Sequence, residues 1–189
     1  MSKQTKSSQG QIRIIGGQWR GRKLPVSDWE GLRPTSDRVR ETLFNWLTPT
    51  VNGAWCVDLF AGSGALGFEA LSRGAGGCLF VDRNAHGCRL LNQLIEQFGV
   101  EDRASIFSGD ALQAPLESKT CDIVFIDPPF GSGLVNPTLD WLIRGGYLSD
   151  NALIYVETER GFLVDTPSLQ LLKEKTAGEV CFRLYEHQP

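Results

Sequence analysis

Asp127-Pro128-Pro129-Phe130 is the stretch of this chain whose residue types and order could do chemistry. It follows Cys121 to Ile126, an almost unbroken apolar run with β-branched residues that reads as a buried strand. Two prolines cannot extend a strand ladder, because each lacks an N–H and fixes its φ. A carboxylate, a stiff turn and an aromatic ring are thereby gathered where a central strand ends. In open α/β sheets, ligands bind at the carboxyl ends of the strands. Alone, the tetrapeptide also fits a proline-rich loop with an Asp turn residue.

A second constellation lies upstream. Gly62, Gly64 and Gly67 satisfy G-x-G-x-x-G directly after a strand predicted over Trp55–Phe60, and they open a helix predicted to run to about Arg73. Asp82 closes the next predicted strand, Cys78–Val81, where an acid can bind a ribose diol. The competing reading is a tight turn that lets helix and strand pack closely. Strand, glycines, helix and acid in that order imply an adenosine-containing cofactor. Three features favour S-adenosylmethionine over a nicotinamide dinucleotide. Asp58 precedes the glycines, where it would repel a pyrophosphate but suit an ammonium or sulfonium group. Asp110 follows a strand predicted over Ala104–Ser108 and could take the adenine amino group, although helix-initiating turns also carry acids. No hydride-accepting apparatus is evident.

A methyl donor gives the Asp127 turn a reaction. A nucleobase amine is a poor nucleophile, because its lone pair is delocalised into the ring. The Asp127 carboxylate and the Pro128 carbonyl can accept its two N–H bonds. That favours pyramidal nitrogen and aims the lone pair at the methyl group. The prolines hold both acceptors rigidly, and Phe130 can stack on an extruded base.

The 189 residues suit one domain with a full core. No apolar run is long enough to cross a membrane. Five scattered cysteines, with no Cys-x-x-Cys pair and only two histidines, argue against a zinc site or a disulfide framework. No metal is expected, and reduced cysteines fit a cytoplasmic protein. Further helices are predicted over His86–Phe98 and Asn136–Ile143, and a strand over Ala152–Glu157. Leu171–Lys175 and Glu179–Glu186 read as an antiparallel pair turned at Ala177-Gly178. Strands alternating with helices define an α/β fold.

Charge is uneven along the chain. Residues 1–40 hold nine Lys and Arg against three acids, a net of +6, while the remainder holds ten against nineteen, a net of −9. A basic arm on an acidic body suggests a phosphate-bearing partner. Met1 to Gly10 read as a disordered lead-in. Residues 11–33 form a basic extension in which strands around Ile12–Ile15 and Lys23–Val26 flank a glycine-rich turn. Arg13, Arg20, Arg22, Lys23 and Arg33 are its candidate RNA contacts. Trp19 could stack on a base or pack the hairpin onto the body. Gly31 to Pro34 read as a linker. Thr35 or Ser36 then caps a helix to about Leu47, whose first turn with Arg38 and Arg40 could meet a ligand carboxylate.

The chain resembles the class I methyltransferases, and among them the bacterial RsmD family of small-subunit (16S) ribosomal RNA guanine-N2 methyltransferases. The resemblance runs from about Gln11 to Glu186. It rests on Gln11-Ile-Arg-Ile-Ile-Gly-Gly-Gln-Trp-Arg-Gly-Arg-Lys-Leu24 and Leu32-Arg-Pro-Thr-Ser-Asp-Arg-Val-Arg-Glu-Thr-Leu-Phe-Asn-Trp-Leu47, and less specifically on Asp58 to Gly67 and Asp127 to Phe130. It implies a Rossmann-like, seven-stranded, mostly parallel, doubly wound sheet with an antiparallel C-terminal strand pair, preceded by the hairpin, with the methyltransferase domain over 34–189. It implies methylation of one guanine amine in 16S rRNA of the assembled or assembling small ribosomal subunit; a monomer is expected, though the sequence does not settle the oligomeric state. By motif, Asp58, Phe60, Gly62 and Gly64 would line the methionine moiety of S-adenosylmethionine, Asp82 the ribose and Asp110 the adenine. Asp127, Pro128 and Phe130 would hold the target base, with Asp127 also bordering the cofactor. Thr35 and Arg38 would close over the cofactor's amino-acid end. The loop Gly131-Ser132-Gly133 lacks basic residues, so no phosphate contact is assigned to it.

Two rival readings remain open. A DNA adenine-N6 or cytosine-N4 methyltransferase shares the Asp-Pro-Pro-aromatic turn, but nothing here is large enough to read a DNA site. A non-catalytic RNA-binding or ribosome-assembly factor would not need the turn intact.

Overall fold

The computed structural model describes residues 12–25, 36–165 and 167–188. The lead-in over 1–10, the linker from Gly31 to Pro34, and the site candidates Arg33 and Thr35 lie outside the described residues.

A short antiparallel hairpin, β1 (Ile12–Arg13) and β2 (Lys23–Leu24), comes first and pairs Ile12 with Leu24. β1 is shorter than the sequence suggested, because the chain after Ile14 turns away to follow a helix surface, and Val26 lies outside the described residues. Helix α1 (Asp37–Leu47) starts at Ser36, whose hydroxyl accepts from the Val39 N–H. Then follow β3 (Trp55–Asp58), α2 (Ala65–Ser72), β4 (Gly77–Asp82), α3 (Ala85–Phe98), β5 (Ala104–Ser108), a 3-10 turn over Ala111–Gln113, β6 (Cys121–Ile126), α4 (Val135–Arg144), β7 (Leu148–Glu159), β8 (Leu169–Ala177) and β9 (Val180–His187).

The main sheet has seven strands in the order β5-β4-β3-β6-β7-β9-β8. The first five are mutually parallel, and β9 runs antiparallel between β7 and β8. Side chains alternate between two apolar layers, as a pleated sheet requires. Cys56, Phe80, Phe125 and Tyr155 face α1, α2, α3 and the hairpin. Val57, Val81, Val124 and Ile154 face α4 and the segment around Ala111 to Leu116. The sheet is therefore doubly wound. Chain order reverses between β3 and β6, and that switch point opens a crevice at their carboxyl ends.

The hairpin is part of the core. Ile12, Ile14, Trp19 and Leu24 are buried in the same apolar layer as the helices. Its turn is bolted to the carboxyl end of α2: the Gln18 N–H donates to the Ser72 carbonyl at 2.7 Å, and the Trp19 N–H donates to the Ser72 hydroxyl at 2.9 Å. Gly17 makes this approach with φ +73°, and a Cβ there would stand 1.9 Å from the Ser72 oxygen.

Candidate active site

Five carboxylates end five successive strands. Across the sheet, the strand order places Asp110 beyond β5, Asp82 at the end of β4, Asp58 at the end of β3, Asp127 beyond β6, and Glu157 near the end of β7. The switch point falls between Asp58 and Asp127.

The glycine loop is strapped to both flanking strands. The Leu59 N–H donates to the Phe125 carbonyl, and the Ala61 N–H donates to the Val81 carbonyl. Gly64 enters α2 with φ +74°, a left-handed conformation that glycine adopts at little cost. Asp58 shapes the loop from within. It is 2% exposed, and its carboxylate accepts from the Gly67 N–H at 3.1 Å. Burial pushes its pKa from 3.8 up to about 7; the Gly67 N–H opposes the shift and the charge of Asp82 adds to it.

Asp82 is half-buried and preorganised, its two oxygens accepting from the Gly62 N–H at 2.7 Å and the Asn84 N–H at 2.8 Å. Asp110 caps the 3-10 turn by accepting from the Leu112 N–H at 3.0 Å, and it pairs with Arg83. The Leu112 N–H is the main cause holding its pKa below the ordinary value, with Arg83 adding to the effect. Phe60, Gly62 and Gly64 border the same edge. Beyond β6, Asp127 is half-buried, Pro128 buried and Phe130 45% exposed. The structure thus gathers the sequence-derived candidates from Asp58 to Phe130 along one edge.

Other candidates fall elsewhere. Arg38 is exposed in the first turn of α1, but Arg40 is not a ligand group. Its guanidinium is fully buried and turned inward, donating to the Arg13 carbonyl at 2.9 Å and the Asp37 carboxylate at 2.6 Å. Trp19 is corrected likewise. Its indole is 5% exposed and stacks on Phe98 at 4.5 Å, so it packs the hairpin and offers no face to a base. Arg13, Arg20, Arg22 and Lys23 are exposed. Arg20 and Arg22, in the hairpin turn, sit far from the acids. The hairpin turn lies on Ser72 and Phe98, the last residues of α2 and α3. The 14-residue α3 starts three residues after Asp82 and spans about 21 Å.

Two buried carboxylates escaped the sequence reading as functional groups. Glu69 on α2 is fully buried and accepts from the Ile15 and Gly16 N–H groups at 2.7 and 2.8 Å and from Arg73 Nε at 2.7 Å. Glu157 is 5% exposed and accepts from the Tyr155 hydroxyl at 2.8 Å. The signal for each was an acid inside an apolar run. Among the described residues, no cluster of His, Cys, Asp and Glu could hold a metal ion, and no helix is long and apolar enough to cross a membrane.

Sheet order, glycine loop and acid-lined edge define a Rossmann-like methyltransferase architecture. Residues 12–186 match the family described as Conserved hypothetical protein 95, and the chain belongs to that family. It is 48% identical over 193 residues to ribosomal RNA small subunit methyltransferase D of Escherichia coli strain K12, spanning 100% of this chain and 96% of that protein. The Haemophilus influenzae protein of the same name is 46% identical over 192 residues, covering 97% of this chain and 98% of its own. A solved Escherichia coli structure superimposes with a TM-score of 0.85 at 45% identity, over 95% of this chain and 99% of that one. At such identity and coverage the chain is a methyltransferase.

Proposed function

We propose that the protein transfers a methyl group from S-adenosylmethionine to the exocyclic N2 amine of one guanine in 16S rRNA of the assembled or assembling small ribosomal subunit. In this reading it acts in the cytoplasm as a monomer. The observation that carries the reaction is the rigid Asp127-Pro128 turn at the switch point, beside the glycine loop. The names of the relatives support the RNA substrate.

The residues present fit the cofactor. The left-handed Gly64 and the preorganised carboxylate of Asp82 on the same edge suit a ribose, and the buried acid beneath the loop suits a cationic amino acid. S-adenosylmethionine would supply an electrophilic methyl group on a sulfonium centre. Asp58, Phe60, Gly62 and Gly64 hold the methionine end, Asp82 the ribose and Asp110 the adenine, with Thr35 and Arg38 closing over the amino-acid end.

The chain's own residues prepare the nucleophile. The Asp127 carboxylate and the Pro128 carbonyl accept the two N–H bonds of the target amine and free its lone pair. The prolines keep both acceptors at fixed distance, so the positioning cost is met on folding. Phe130 stacks on the extruded base. Methyl transfer leaves the amine cationic, and its proton departs afterwards, so Asp127 need not be a strong base. Arg13, Arg20, Arg22, Lys23 and Arg33 bind RNA phosphates, Arg20 and Arg22 from the hairpin turn.

The test is transfer of a tritiated methyl group to small subunits from cells lacking the enzyme. Label on guanine N2 is expected, with a loss of about 10²-fold or more in Asp127→Ala. Label on adenine, or undiminished transfer by Asp127→Ala, overturns the reading.

A further inference from the structure

β6 stops at Ile126, opposite Val156, where the Asp127 turn begins. β7 continues. Its Glu157, Thr158 and Glu159 pair with Phe182, Cys181 and Val180 of β9. Three strand residues at about 3.3 Å each carry the β7–β9 ribbon roughly 10 Å past the end of β6. The ribbon thereby forms a wall beside the turn. An RNA that delivers a base to the carboxyl edge of the sheet meets the top of this wall.

The chain at that top is held along its length. The Arg160 N–H donates to the Glu179 carbonyl at 2.8 Å, and the Phe162 N–H closes a turn onto the Glu159 carbonyl at 3.2 Å. Gly161 makes the turn with φ +88°. The Phe162 carbonyl accepts from Arg183 Nη2 at 3.3 Å. The Asn136 amide brackets the next stretch: its Nδ2 donates to the Leu163 carbonyl at 3.4 Å, and its Oδ1 accepts from the Asp165 N–H at 3.3 Å. Asn136 belongs to the first turn of α4, six residues after Phe130. The segment that follows β7 is thus tied to the segment that follows β6.

Two side chains of this segment take no part in holding it. Phe162 and Val164 pack into the apolar layer beside α4. Leu163, between them, faces out and is 84% exposed, more than any other large hydrophobic among the described residues. Single surface leucines are ordinary, but the pinned backbone and its two anchored neighbours keep this one from folding inward. Leu171 and Leu172 lie on the outer strand β8, whereas Phe130 and Leu163 stand on the loops after neighbouring strands. Arg160 is exposed, and its guanidinium forms no ion pair with a described residue, although Glu159 and Glu179 flank its backbone.

We propose that Arg160 and Leu163 form an RNA contact that keeps the target nucleotide out of its stack: Arg160 pairs with a backbone phosphate beside the target, and Leu163 fills the gap that the extruded base leaves. This rests on the methyltransferase reading of the Asp127 turn and supplies a step that reading needs. Phe130 receives a base only after the base has left its neighbours, and leaving them is unfavourable. Apolar side chains inserted at a base step offset that cost. A leucine already fixed by its backbone loses little freedom in doing so. The unpaired guanidinium beside it fits a phosphate bidentately, which favours RNA over a protein of the subunit as the partner.

The experiment compares wild type, Leu163→Ser, Leu163→Met and Arg160→Gln on reconstituted small subunits. One set carries natural RNA. The other has an abasic residue in place of the base stacked next to the target. Both residues are exposed, so thermal stability and S-adenosylhomocysteine binding should match wild type in every variant. On natural RNA, Leu163→Ser should lose about tenfold or more in kcat/KM. The abasic substrate has no stack to reopen, and there Leu163→Ser should come within about threefold of wild type. Leu163→Met keeps an apolar wedge and should keep the activity on both substrates. Arg160→Gln should raise KM on both and flatten the salt dependence by about 0.7–0.9 in log–log slope. Full activity of Leu163→Ser on natural RNA overturns the proposal. So does a loss that persists on the abasic substrate, which would assign Leu163 to a protein of the subunit. An unchanged salt slope in Arg160→Gln overturns the phosphate contact. If wild type methylates no guanine at all, the proposed function itself fails, a different outcome from variants as active as wild type.

Discussion

The indole of Trp19 lies on the ring of Phe98, with centroids 4.5 Å apart and planes 19° apart. One residue belongs to the hairpin turn and the other ends α3. The stack makes the hairpin a fixed part of the α2–α3 layer. Trp19→Ala should therefore destabilise the protein by about 3–5 kcal/mol, the usual cost of emptying a large aromatic site. Thermal or chemical denaturation measures it. A variant as stable as wild type, but weaker on RNA alone, would return Trp19 to the binding surface.

The basic residues beside it should behave in the opposite way. Arg20, Arg22 and Lys23 are exposed. Replacing all three with Gln should leave stability within about 0.5 kcal/mol each. Substrate binding should weaken, and its dependence on salt should flatten by about 0.7–0.9 in log–log slope for each RNA phosphate no longer neutralised. Product binding should not change, because the acids lie about 20 Å away along α3. These substitutions are a cleaner probe than deleting residues 1–33, which would also remove Ile12, Ile14, Trp19 and Leu24 from the core. An unaltered salt slope would reduce the hairpin to a structural element.

Glu69 is the polar counterpart of that apolar dock. It neutralises Arg73, lies 3.7 Å from Arg40 Nη1, and satisfies the N–H groups of Ile15 and Gly16. Glu69→Ala should cost about 3–5 kcal/mol, because it takes the carboxylate from Arg73 and from the far side of the buried Arg40 guanidinium and leaves two backbone donors unmet. The loss should appear first as faster hydrogen exchange at Ile15 and Gly16. A fully stable variant with protected amides would show that the apolar contacts alone seat the hairpin.

Much of the site was legible because parallel strands covered on both faces are written as apolar runs. Asp58, Asp82 and Ile126 stand at ends that the runs themselves mark. The docking of the hairpin was not legible. Every residue of α2 from Ala65 to Ser72 is buried, so the helix shows no polar face that would distinguish Glu69 as a buried anchor. Arg40 was misread for a related reason. The spacing of Val39, Leu43 and Leu47 marks one stripe, but α1 also buries Arg40 and Phe44, and a wider buried face brings the arginine inward. β7 begins at Leu148, ahead of the predicted Ala152, because the register shifts between Cys121 and Ile123 of β6. Such irregularities follow from the neighbouring strand, which local sequence does not encode.

Asp58 gives the protein a pH signature. Its pKa stands near 7 in the folded chain, above the ordinary 3.8. Between those values the native state holds a proton that the unfolded chain has released. The unfolded state then binds fewer protons, and stability falls as pH rises. The contribution is unpenalised below about pH 4, declines through the interval, and levels off above about pH 7. At about 1.4 kcal/mol per unit, the loss approaches the order of 4 kcal/mol. Asp58→Asn does not titrate and keeps an oxygen for the Gly67 N–H. Urea denaturation of both proteins from pH 4.5 to 8 isolates the effect, because every other group is shared. Wild type should lose ground to the variant as pH rises and hold a constant gap above pH 7. A gap that stays flat across the range would mean that Asp58 is already ionised beneath the loop, with the N–H groups of Gly67 and Phe60 outweighing its burial.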